Sequence, residues 1–131
     1  DYAGLSFDAG ATFLEAAGVA RPADFDAVSL LPILRGGAPD PKPRELYFVR
    51  REGGPAYGGK SYEAIIRGDW KLLQNSPYSP LELYHLKDDP QETTDVIRKF
   101  PAVARDLEAA LRAHIQRGGA TPWQPPPAVR N

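Results

Sequence analysis

The chain has 131 residues, 16 Lys and Arg against 17 Asp and Glu, a formal charge of −1, and 42% hydrophobic residues, enough for a single modest core. A near-neutral chain without a clustered basic face speaks against nucleic acid or an anionic membrane as partner. No apolar run approaches the ~18 residues of a spanning helix, and the absence of Cys excludes a disulfide framework, a thiolate metal site and a Cys nucleophile. The opening, DYAGLSFDAG, lacks an initiating Met and reads as the start of a processed or excised piece. No signal peptide or lipidation motif is visible, and the compartment stays open.

In chain order, ATFLEAAG (11–18) reads as a helix with Phe13, Leu14 and Ala17 at helical spacing and Gly18 just past its end. SLLPILRG (29–36) reads as one short helical turn with Ser29 as N-cap and Gly36 as stop. LYFVR (46–50) mixes aromatic and β-branched residues and reads as a strand. AIIR and WKLL meet at Gly68-Asp69, a two-residue hairpin signal that sets Trp70 beside the turn. ELYHL (82–86) is a fourth strand. In PAVARDLEAALRAHIQRG (101–118), Val103, Leu107, Leu111 and Ile115 form an i, i+4 stripe.

Fourteen Pro and twelve Gly gather in the stretches between these elements, the last of them with polyproline II character. The class is α+β: a small antiparallel sheet of about four strands against the C-terminal amphipathic helix, with short N-terminal helices. The expected core joins the helix stripe to Ile66, Leu72 and Leu83.

A search for chemistry returns little. His85 and His114 have no partner at metal-ligand spacing on their own elements. Asp88, Asp89 and Glu92 in KDDPQETTD lack the central Gly and alternating ligands of a calcium loop, and read as a solvated turn. No Ser stands in G-x-S-x-G. The Gly-rich stretch REGGPAYGGKSYE (51–63) is the exception, because it sets Arg51, Tyr57, Lys60 and Tyr62 on one loop with four glycines.

The ordered set of motifs resembles the C-terminal region of sulfatases. That pattern runs D-x-x-P-T-L-L-x-x-A-G, D-G-x-S-L-x-P-L-L-x-G, A-x-R-x-G-x-W-K-L and E-L-Y-D-L-x-x-D-P-x-E-x-x-N-L. The chain matches it at Asp8, Thr12, Leu14 and Gly18; at Asp26, Ser29, Leu30, Pro32 and Gly36; at Ala64, Trp70 and Lys71; and at Glu82, Tyr84, Asp89, Pro90 and Glu92. Its departures include Ala11, Ala27, His85 and Asp95.

The resemblance implies a sulfate ester hydrolase whose formylglycine and calcium lie in a larger N-terminal domain. It therefore implies no catalytic or metal-binding residue in this chain, and no Ser here opens a C/S-x-P-x-R motif. Residues 1–36 would finish the catalytic domain, 44–118 would form the sheet-plus-helix subdomain, and 119–131 a Pro-rich tail. The partner would be the catalytic domain of the same protein. Phe13, Leu14 and Val19 would lose their cover in the chain alone, so that helix either folds back onto the small sheet or leaves an apolar patch that drives self-association. Loops of this subdomain reach the active-site mouth in the resembling family, so Arg51, Tyr57, Lys60 and Tyr62 become substrate-binding candidates, with Arg51 and Lys60 suited to an anion. The alternative is a free-standing binding module that recognises a protein partner or an anionic glycan.

Overall fold

The computed structural model of the chain describes residues 3–38, 43–51 and 61–119, with the side chains of all but 51, 61 and 119. Tyr57, Lys60, the side chain of Arg51 and the tail from 120 onward lie outside the described residues. The chain divides into two compact units, Asp1–Pro43 and Arg44–Asn131.

The first unit holds helix α1 (Asp8–Ala16) and the single-turn helix α2 (Leu31–Leu34). Its organising residues are polar. The fully buried Asp8 accepts the Leu5 amide at 2.7 Å and the Val28 amide at 3.0 Å. One turn on, Thr12 Oγ1 donates to the Asp8 carbonyl at 2.7 Å and accepts the Leu30 amide at 2.9 Å. The returning segment has no ladder to satisfy its amides, so these side chains supply the acceptors. Hence α1 buries Asp8, Ala11 and Thr12, while Phe13, expected in the apolar stripe, is 72% exposed. Ala11 and Ala27, two of the departures from the family pattern, are both buried. Gly18 adopts φ +68° past the end of α1, a conformation that costs an L-residue strain. Ser29 does not cap α2 from the cap position, which is Leu30; its hydroxyl accepts the Leu31 amide at 3.1 Å.

The second unit is a meander of β1 (Glu45–Arg51), β2 (Ser61–Arg67), β3 (Trp70–Gln74) and β4 (Leu81–His85), antiparallel throughout in the order β1-β2-β3-β4, followed by α3 (Pro101–Gly119). Arg67 pairs with Trp70 across the two-residue turn. Gly68 takes φ +58° and Asp69 does not take a positive φ, the pattern of a type II′ hairpin.

From that turn the register follows. Ile65 opposes Leu72 and Leu72 opposes Leu83, a fully buried row that meets Ala104, Leu107 and Leu111 of α3. Val103 and Ile115 flank this core, half-buried. The sheet residue in the core is therefore Ile65 and not Ile66, because Ile66 opposes Lys71 on the other face. Each such side chain contributes ~1.5–3 kcal/mol on burial.

Polar contacts fix the helix over the sheet. The Arg67 guanidinium bridges Glu45, at 2.8 Å, and Asp106. Arg112 donates to Gln74 Oε1 at 2.9 Å. The His114 ring stacks on Tyr47 at 5.2 Å, with Nε2 3.3 Å from Glu45 Oε2. Burial pushes the Glu45 carboxyl up, but His114 and Arg67 outweigh it and hold the group below its ordinary value.

The segment after β4 is a built turn and not merely a solvated one. Asp89 accepts the amides of Thr93 and Thr94 at 2.8 and 2.9 Å and the Thr93 hydroxyl at 3.0 Å. Lys71 pairs with both carboxylate oxygens of Glu92 at 2.7 and 2.6 Å, which holds Glu92 at φ +56°. Asp95 Oδ1 accepts the Leu83 and Ile97 amides at 3.0 and 2.9 Å, and the Val96 amide donates to the Leu83 carbonyl at 2.8 Å. The outer side of β4 is thereby clipped to this segment.

Candidate functional site

The two ends of the sheet differ in character. At one end the β1–β2 ladder closes with Arg50 opposite Tyr62 and Arg51 opposite Ser61. The Gly-rich stretch springs from these paired stems. Of its four candidate residues, Arg51 and Tyr62 stand in strands and Tyr62 is half-buried; Tyr62 has Arg50, and not Arg51, as its cross-strand neighbour. Tyr57 and Lys60 belong to the connection outside the described residues.

At the other end lies a pocket that sequence reasoning missed. Trp70 opens β3 and His85 closes β4, and the register places them opposite each other. Their rings lie 4.4 Å apart, and Phe100 meets the indole edge-on at 4.9 Å. His85 Nδ1 is 2.7 Å from Asp88 Oδ2. These residues, with Thr94 and Lys99, line a half-open pocket of ≈ 420 Å³. Trp70 thus does two jobs, since it also packs against the core. The signal available in sequence was the tight turn, which fixes Trp70 at the strand end where a ring from β4 meets it.

In the first unit, a more apolar depression of ≈ 450 Å³ is lined by Leu5, Ala9, Phe13, Leu30 and Leu34 among others.

Acid–base and metal chemistry are constrained by these contacts. The Tyr84 hydroxyl donates to Glu82 at 2.7 Å, and that carboxylate together with burial pushes the phenol up to about 12, far from a neutral-pH proton donor. The amides of Thr93 and Thr94 hold Asp89 below its ordinary value. Among the described residues no group of three or more His, Asp or Glu is placed to hold a metal ion. The carboxylates of Asp89, Glu92 and Asp95 are committed to amides and Lys71, so this turn does not fit a calcium site.

Comparison with known proteins places this architecture. Residues 4–117 match the family model described as N-sulphoglucosamine sulphohydrolase, C-terminal. The N-acetylglucosamine-6-O-sulfatase of Bacteroides thetaiotaomicron is 30% identical over 107 residues, which are 79% of this chain and 19% of that protein. A structure solved in complex with its substrate D-glucosamine-2-N,6-O-disulfate superposes with a TM-score of 0.68 at 25% identity, over 83% of this chain and 23% of the other. A 2-O GAG sulfatase shares the fold with a TM-score of 0.69 at 24% identity, over 81% of this chain and 23% of its own. The chain therefore spans 19% of the curated relative's length. With the family model matched along nearly all of it, the chain belongs to the sulfatase family, as a C-terminal region of the N-sulphoglucosamine sulphohydrolase type.

Proposed function

We propose that the chain is the C-terminal subdomain of an enzyme that hydrolyses sulfate esters on a sulfated amino sugar, incomplete as a catalyst alone and contributing packing and substrate selection. The observation that carries the reading is the match over residues 4–117 to a sulfatase C-terminal family. The amino-sugar class rests on the relatives, one named for N-acetylglucosamine 6-O-sulfate and one solved with a glucosamine disulfate.

Residues 1–36 complete the catalytic domain in this reading. The exposure of Phe13 and Leu34, 72% each, and of Val19, 52%, supports a covering partner; uncovered, the same residues give the chain a route to self-association. In this reading the calcium and formylglycine of the complete enzyme belong to that larger domain, as in the sulfatases that the chain resembles.

Arg51, Tyr57, Lys60 and Tyr62 act in substrate selection. The paired stems at Arg51 and Ser61 support a loop presented from a rigid ladder, and its two cations suit a sulfated glycan. Replacing Arg51 or Lys60 by Ala in the complete enzyme is expected to lower kcat/KM for the sulfated sugar about ten- to a hundredfold, the worth of a charge-assisted contact of ~1.5–3 kcal/mol. A small aryl sulfate, too short to reach the loop, is hydrolysed almost as before. Equal losses on both substrates, or none on either, overturn the role in selection.

A further inference from the structure

We propose that the pocket beside Trp70 binds an unsulfated sugar unit of a glycan, as a holding site apart from the Gly-rich loop. The inference rests on the glycan-acting reading for its choice of ligand class, and on the pocket's own chemistry for the rest. Two rings at 60° to each other, the indole of Trp70 and the phenyl of Phe100, form an apolar corner. Aromatic faces carry negative charge density, and the axial C–H groups of a pyranose present the matching positive edge. The volume, ≈ 420 Å³, lies within the range of small-ligand sites.

The rim selects for hydroxyls. Asp88 uses one carboxylate oxygen on His85 Nδ1, while the other oxygen, His85 Nε2, Thr94 Oγ1 and Lys99 Nζ make no hydrogen bond or ion pair among the described residues. The set is mixed: Asp88 only accepts, Lys99 only donates, the neutral His85 ring donates through Nδ1 to Asp88 and so accepts at Nε2, and Thr94 does either. A sulfate finds a partner in Lys99 but only repulsion from the carboxylates of Asp88 and Asp89; an ammonium finds Asp88 but is repelled by Lys99. A sugar hydroxyl does both and satisfies the whole rim.

The test follows the emission of Trp70 in the full chain carrying Trp123→Phe, titrated with a neutral N-acetylglucosamine trisaccharide. A saturable change is expected, weakened about tenfold or more by Asp88→Ala and by Lys99→Ala with the thermal midpoint unchanged, since both side chains stand at the rim. The 6-O-sulfated trisaccharide is expected to bind more weakly. No change in emission, an equal response in both variants, tighter binding of the sulfated sugar, or a response to arginine amide alone overturns the proposal. Aryl sulfate turnover by the complete enzyme is read separately: its loss with sugar binding intact sinks the sulfatase reading alone, and the reverse sinks this one.

Discussion

At the scale of single residues, two neighbours in AIIR have opposite fates. Ile65 is fully buried against α3, whereas Ile66 is half-buried on the face shared with Lys71. Truncating Ile65 to Ala is expected to cost ~2–5 kcal/mol, the transfer loss plus a cavity, and Ile66→Ala about 1 kcal/mol. Denaturant midpoints at constant m-value measure both; equal costs would mean that the register has slipped. Acid acts on different residues. The Asp89 carboxyl is held below its ordinary value by the amides of Thr93 and Thr94. A depressed carboxylate contributes its stabilisation above the unfolded value and loses it as pH falls through the folded one. The turn after β4 therefore loosens as pH falls through the lowered value of the Asp89 carboxyl, while the apolar core carries no such dependence.

Among the elements, the β2–β3 hairpin was the most legible in sequence. Gly68-Asp69 announces a two-residue turn, and counting back from Arg67↔Trp70 gives Ile65↔Leu72 without further information. The inward face was derivable by that count; reading the AII run by composition alone does not reveal it, since adjacent apolar residues favour neither face. Gly68 at φ +58° makes the turn testable: Gly68→Ala is expected to cost ~1–2 kcal/mol, the strain of an L-residue in the left-handed region. A neutral result by thermal melting would show that the turn has changed type.

Helix α3 was legible too, through its stripe and its Pro101 start. Helix α1 was misread in its buried face because the decisive residues, Asp8 and Thr12, are polar and act on partners 18 and 20 residues away, a distance no periodicity reports. The Trp70 pocket was invisible for a related reason. Phe100 and Lys99 reach it only because Asp95 and Val96 clip their segment to β4.

For the whole molecule, the division into Asp1–Pro43 and Arg44–Asn131 has a direct test. The second unit contains its own complete core cluster, from Ile65 to Leu111. A chain beginning at Arg44 is therefore expected to unfold cooperatively with the near-ultraviolet signal of packed aromatics. Loss of that signal would mean that the sheet and α3 depend on the first unit. The resemblance read in sequence spans both units, and the motifs that carry it divide between them: Asp8 and Thr12 bind the first together, and Lys71 and Glu92 form one ion pair in the second.

The meander order also governs the time course of assembly. Every strand pairs with its neighbour in sequence, so each closure spans a short loop and carries little chain entropy. The helix is different: Arg67 and Asp106 are 39 residues apart, Gln74 and Arg112 38, and Glu45 and His114 69. Contacts at such separations form late. In kinetic terms α3 is expected to dock after the sheet has formed, and its departure would bare the Ile65–Leu72–Leu83 row.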